Sequence, residues 1–313
     1  MAKAIVFPGQ GSQTVGMGKD LADAFTVAKE VFLEVDDALS ENLSKKMFDG
    51  PGEELLLTEN AQPALMAVSM AVVRVLQQEG KISLADTFKY AAGHSLGEYS
   101  ALCAAGAFDI TTAARLLRTR GKAMQQAVPV GQGGMAALIG ADLEQAKEVA
   151  AEAAQGDVCV AANDNAPGQV VLSGTTAAID RAVEIAAKKG IKRAVKLAVS
   201  APFHSPLMQP AADVMAEALA AVRIKTPRFP VIANVTAQPV TESEEITRLL
   251  VAQVTGSVRW RESMLFAQEN GVDTLVEAGA GKVLTGMAKR IHSDLKGIAL
   301  NTPQDIENFL KTL

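Results

Sequence analysis

The sequence predicts an α/β fold with a parallel sheet, carrying a small β-α-β-β-α-β unit set into it. Three observations predict this. Short apolar runs at residues 3–7, 88–92 and 274–277 are each followed by helical patterns. The second run enters Gly93-His94-Ser95-Leu96-Gly97, a Gly-x-Ser-x-Gly turn between strand and helix. Residues 130–198 read strand, helix, strand, strand, helix, strand, the ferredoxin-like order.

Composition sets the outer limits. The 313 residues suffice for one large domain, or for one domain with a smaller insert. Hydrophobic residues at 49% and charged residues at 21% are an ordinary globular balance. A net charge of −5 argues against general nucleic-acid binding. Cys103 and Cys159 lie in apolar runs without Cys-x-x-Cys spacing, so small core residues are expected rather than a disulfide or a metal site. No secretory signal is visible before Pro8-Gly9. The longest apolar stretch, residues 63–76, is too short for a bilayer and contains Arg74. A cytoplasmic, monomeric protein without a membrane partner is expected.

Taken in order, residues 3–7 form a buried-type strand ended by Pro8-Gly9-Gln10-Gly11-Ser12-Gln13. The Gly-x-Gly suggests a dinucleotide loop, but Thr14 stands where the third glycine belongs. The loop still presents backbone N–H groups, a second source of oxyanion donors. Residues 20–39 and 60–78 are helical in pattern, the latter apolar nearly all round and so buried against a sheet. The Ser95 turn follows. Glycines at 93 and 97 allow close passage of neighbouring chain, and the N–H groups after the serine can face an attacked carbonyl oxygen.

Residues 109–128 form the most informative helix, with Asp109 as N-cap. At about 100° per residue, Arg120 falls between Leu116 and Met124 on the apolar side. A buried guanidinium cannot lose its proton, so it needs an anion. A core carboxylate such as Glu98 and the carboxylate of a substrate both fit.

In the insert, strands at 135–139, 158–162, 169–172 and 193–198 enclose helices at 142–154 and 175–189, with a turn at 163–168. Gly131-Gln132-Gly133-Gly134 reads as the entry hinge. Lys188, Lys189, Lys192, Arg193 and Lys196 make the unit locally basic, either a solvated face or a surface for an acidic partner. Beyond it, Ser205 as N-cap and Pro206 as first residue start a helix to Val222. Residues 229–235 read as a strand, 253–260 as irregular and 297–301 as a last strand. Gly279-Ala280-Gly281-Lys282 imitates a phosphate loop but is followed by Val283, not Ser or Thr.

An activated serine needs a base, and there are three histidines. His94 adjoins the nucleophile and should point away into packing. His292 follows Lys289-Arg290 and reads as solvated. His204, at a helix start whose dipole disfavours imidazolium, is the best base. No carboxylate stands out to orient it, and a backbone carbonyl can do so.

Together these features resemble the malonyl-CoA:acyl carrier protein transacylase family over essentially the whole chain. The resemblance is carried by residues 7–13, Gly93-His94-Ser95-Leu96-Gly97-Glu98, Arg120-Gly121, Asn163, Ala166-Pro167-Gly168-Gln169, Phe203-His204 and Gln253. It implies an α/β-hydrolase-like catalytic domain formed by residues 1–129 and 199–313, with residues 130–198 as the ferredoxin-like subdomain. It implies a Ser95–His204 pair oriented by the Gln253 carbonyl. The oxyanion hole maps to the N–H groups of Gln10 and Leu96. Arg120 would bind the free carboxylate of a malonyl group, with Phe203 and Asn163 as further substrate contacts. Phe203 matches the malonyl-selective type, while Ala201 and Pro202 depart from the commonest pattern. The implied reaction is ping-pong malonyl transfer from malonyl-CoA to acyl carrier protein for fatty acid biosynthesis, with no metal and no bound cofactor. A serine esterase or thioesterase and a polyketide-type acyltransferase with another extender unit are the alternatives.

Overall fold

The strand–helix alternation closes into a six-stranded sheet in the order β10-β9-β1-β2-β7-β8. The structure, a computed structural model, describes residues 2–313. The strands are β1 (Ala2–Phe7), β2 (Phe88–Gly93), β7 (Val231–Ile232), β8 (Pro239–Val240), β9 (Val272–Ala278) and β10 (Lys296–Leu300). All neighbours pair in parallel except β7 with β8, which are antiparallel. A parallel sheet is covered on both faces, and the alternation along β1 shows it. Ile5 and Phe7 join one core with the helices Thr26–Leu39, Thr58–Gln78 and Ile110–Gln126. Ala4 and Val6 join another with Trp260, Met264 and Met287.

A separate antiparallel sheet has the order β4-β5-β3-β6, from β3 (Gly133–Ile139), β4 (Cys159–Ala166), β5 (Gln169–Thr175) and β6 (Arg193–Lys196). Helices Leu143–Ala154 and Thr176–Lys188 supply Val149 and Ile179 to its core with Leu138 and Leu172. Asp142 starts the first with a full capping box, and Thr175 caps the second. The two sheets meet where β4 exchanges backbone bonds with Val258 and Asp164 pairs with Arg261 at 2.8 Å.

Several local expectations are corrected. The helix expected at 20–39 breaks at Phe25, which is extended at φ −131° and packs its ring on the core between Lys19–Ala24 and Thr26–Leu39. The turn expected at 163–168 shrinks to Pro167-Gly168. β4 runs on through Asn163, Asp164 and Asn165, with two register shifts. The 229–235 strand is only Val231–Ile232, because Asn234 leaves the ladder to bond Gly93. Ser205 takes the N-cap position before Pro206 but makes no side-chain capping bond. Its hydroxyl donates back to the Pro202 carbonyl, and Pro206–Met208 is a 3₁₀ turn before the α-helix Gln209–Ala220. Gln253 is not in an irregular segment but in the last turn of the helix Ser243–Thr255. The helix expected from Lys282 begins at Thr285, where the Glu277 carboxylate accepts the Leu284 and Thr285 N–H groups.

Both cysteines are buried and unpaired. Among the described residues, no helix is long and apolar enough to cross a membrane. None of their His, Cys, Asp and Glu side chains cluster in threes that could hold a metal.

Candidate active site

β1 and β2 end side by side, Phe7 opposite Gly93, so both following loops emerge at the carboxyl edge of the sheet. The turn at Ser95 depends on glycine. A methyl at Gly93 would lie 1.9 Å from the Gly97 carbonyl, and one at Gly97 2.3 Å from the Phe7 oxygen. Ser95 itself takes φ +53°, a left-handed conformation that non-glycine residues adopt at a cost. Three bonds hold it there. His94 N–H donates to the Phe7 carbonyl, Ser95 N–H to Asn234 Oδ1, and Gln253 Nε2 to the Ser95 carbonyl.

Ser95 Oγ lies 2.8 Å from His204 Nε2, and His204 Nδ1 lies 2.9 Å from the Gln253 carbonyl oxygen. A carbonyl only accepts, so Nδ1 carries the proton and Nε2 the lone pair that faces the serine hydroxyl. His204 is buried, and its pKa is pushed down to about 3. Burial is the main cause and the Arg120 charge the second. The helix start invoked from the sequence is a short 3₁₀ turn and is not needed.

Arg120 is 1% exposed. Its Nη1 donates to Gln62 Oε1 at 2.8 Å. Its Nη2 donates to Gln253 Oε1 at 2.9 Å and to Ser95 Oγ at 3.1 Å. The direct ion pair with Glu98 does not form. The Gln253 amide stands between them, giving Nε2 to Glu98 Oε2 at 2.8 Å and Oε1 to Arg120. Among the described residues no carboxylate touches the guanidinium. A buried guanidinium without a carboxylate contact is therefore left beside the Ser95 hydroxyl.

The Gly9 loop packs on the turn, since a methyl at Gly9 would lie 2.7 Å from the His94 carbonyl. Among the described residues, the N–H groups of Gln10 and Leu96 have no acceptor within the protein. His94 packs as expected, with Nε2 2.8 Å from Asn165 Oδ1 and its ring against Trp260. His292 stays partly exposed near Asp294. Phe203 is buried in the larger core beside His204. Asn163 is buried on β4 and bridged to Val258, with no hydrogen bond to Ser95, His204 or Arg120.

Gln62, Glu98 and Asn234 complete the polar cluster. Gln62 is one of several polar side chains near the start of a mostly apolar helix and carries no signal of its own, and Glu98 is legible only as one partner open to Arg120. Asn234 carried no sequence signal, because its role needs β7 to end against β2.

The whole chain aligns with one family. Residues 4–302 match the acyl transferase domain family. The malonyl CoA-acyl carrier protein transacylase of Bacillus subtilis is 46% identical over 311 residues, 99% of this chain and 96% of that protein. The chain belongs to the malonyl CoA-acyl carrier protein transacylase family. Solved members of this family superpose closely. The acyl-carrier-protein S-malonyltransferase of Bartonella henselae has a TM-score of 0.97 at 56% identity, covering 100% of this chain and 99% of that one. A malonyl-transacylase solved in complex with its type II polyketide acyl-carrier protein has a TM-score of 0.97 at 44% identity, covering 100% of both chains.

Proposed function

We propose that the protein moves a malonyl group from coenzyme A to the phosphopantetheine thiol of an acyl carrier protein, through a malonyl ester on Ser95. The observation that carries this is Arg120, a buried cation 3.1 Å from the nucleophile with no carboxylate of its own. A pocket for neutral acyl chains has no use for such a charge, which disfavours an esterase or thioesterase.

In the first half, Ser95 Oγ attacks the malonyl thioester carbon while its proton passes to His204 Nε2. The oxyanion is met by the N–H groups of Gln10 and Leu96; loss of one such donor costs about 10²–10³ in rate. The C–S bond breaks, and His204 returns the proton to the coenzyme A sulfur. In the second half, the carrier thiol attacks the ester carbonyl with His204 taking its proton, the C–Oγ bond breaks, and His204 returns that proton to Ser95 Oγ. The Gln253 carbonyl keeps the ring in one tautomer throughout. Arg120 holds the free carboxylate, which fixes the acyl group until the thiol arrives. Phe203 and Asn163 are read as walls of the acyl and pantetheine path.

An acidic carrier would be drawn by exposed cations without an acidic partner. Lys189 and Lys196 are engaged by Glu152 and Asp180, and Arg118 by Glu41. Lys188, Lys192 and Arg193 are exposed and stand as the docking contacts. The strand order β4-β5-β3-β6 supports the ferredoxin-like reading of the smaller sheet, and the Ser95 turn after β2 supports the hydrolase-like reading of the larger. Fatty acid synthesis, a cytoplasmic setting and a monomer complete the proposal.

A panel of acyl-CoA thioesters, each assayed with and without a phosphopantetheinylated carrier protein, tests it. Malonyl transfer to the carrier is expected, with little hydrolysis in its absence. Rapid carrier-independent hydrolysis, or preference for a neutral acyl group, would overturn it. The histidine offers a second check. With its pKa near 3, His204 stays neutral as pH falls through the ordinary histidine range of about 6.5. Its ring carbon resonance is therefore expected to stay flat from about pH 8 to about pH 5. A titration midpoint near 6.5 would mean that the ring is solvated and the pair is not formed.

A further inference from the structure

Glu98 is a buried carboxylate with no cation against it. It is 2% exposed, in the first turn of the helix Gly97–Ala104, and among the described residues no Lys, Arg or His contacts it. Such a group is costly to bury unless its acceptor capacity is used. Oε2 accepts the Gln253 amide at 2.8 Å and the Asn234 N–H at 2.9 Å.

The use lies in the polarity of the Gln253 amide. Its Nε2 has three neighbours, Glu98 Oε2, the Ser95 carbonyl at 3.0 Å and Asn234 Oδ1 at 3.2 Å. All three are acceptors, so the NH₂ end must face them. The oxygen end is then turned to Arg120 Nη2. Flipping this amide would set its NH₂ against the guanidinium and its oxygen against a carboxylate, two repulsive contacts at once. The same residue's backbone carbonyl receives the His204 ring.

We propose that Glu98 is a positioning residue, which fixes the Gln253 amide and through it holds Arg120 in the orientation that receives the malonyl carboxylate. This rests on the reading of Arg120 given above. Glu98 touches neither substrate nor the reacting atoms. It sets acyl selectivity from behind the site, by deciding which end of one amide the arginine meets. Burial, partly offset by the Asn234 and Gln253 bonds and by the Arg120 charge beyond the amide, raises its pKa to about 7.

The test is the ratio of kcat/KM for malonyl-CoA to that for acetyl-CoA, measured as Ser95 loading. In Glu98→Ala the ratio is expected to fall about 10- to 100-fold, the scale of a lost bond to a charged group. Glu98→Gln keeps an oxygen for the Gln253 amide and is expected to stay within about threefold of the unaltered protein. Gln253→Met removes the amide but keeps the backbone carbonyl for His204. On that background Glu98→Ala is expected to add less than about twofold, because both changes break one path. Circular dichroism checks folding. If Glu98→Ala does not fold, Glu98→Met fills the space and is read the same way.

An unchanged ratio in Glu98→Ala overturns the proposal. So does an equal fall in malonyl and acetyl loading, an effect that multiplies with Gln253→Met, or a Glu98→Gln protein as impaired as the alanine. An unaltered protein without malonyl preference removes the ground of both readings. One with that preference, beside a variant that keeps it, overturns the Glu98 proposal alone.

Discussion

A Ser95→Ala protein is expected to take no malonyl group after brief mixing with malonyl-CoA, where the unaltered protein takes one. The transfer rate should fall by about 10⁴-fold or more, the scale seen when a nucleophile that acts as a unit with its base is removed. The geometry gives no substitute. His204 Nε2 faces Ser95 Oγ at 2.8 Å, and the ring is held by Gln253 in the tautomer that accepts only that proton. Folding should survive, since the hydroxyl bonds only His204 and Arg120 while the backbone bonds to Asn234 and Gln253 remain. Intact-protein mass spectrometry reads the ester, and thermal melting reads the fold. A folded Ser95→Ala protein that still transfers malonyl groups at the normal rate would end the covalent mechanism.

The second large effect belongs to Arg120. Truncating one partner of a buried, hydrogen-bonded charge contact costs about 2–5 kcal/mol, so Arg120→Ala is expected to lower malonyl-over-acetyl preference by about 10²–10³-fold. Acetyl loading should change much less, because the acetyl group has no carboxylate to lose. Some loss of stability is also expected, as Gln62 Oε1 and Gln253 Oε1 are left without their donor. Comparing the two acyl groups on one variant separates the causes, since instability lowers both rates alike. Unchanged preference would return Arg120 to a purely structural role.

These expectations draw unequally on sequence and structure. The turn at Ser95 was legible because its requirement is local. Gly93 and Gly97 are the residues a strand must have to fold back on itself within five positions, and the distances bear that out. The inward face of Arg120 was legible because a helical period assigns faces without knowing neighbours. Capping at Asp109 was legible for the same local reason. The sequence pattern does not reveal that the helix Ser243–Thr255 includes Gln253, and the apolar run at 229–235 is longer than β7. In both cases packing, not propensity, set where the element stops.

What the amino-acid order determined by itself is a serine on a strained turn, an arginine turned inward and a histidine within the chain's reach of both. What it left open was the partner of that arginine, Glu98 or something brought from outside. Only the tertiary structure shows that Glu98 does not contact the arginine. Gln253 arrives from a helix 133 positions beyond Arg120, and its amide fills the space between guanidinium and carboxylate. Periodicity tells which way a side chain faces; what it meets there depends on how distant helices pack around one sheet. That packing keeps Arg120 charged, buried and free of any carboxylate, 3.1 Å from the serine.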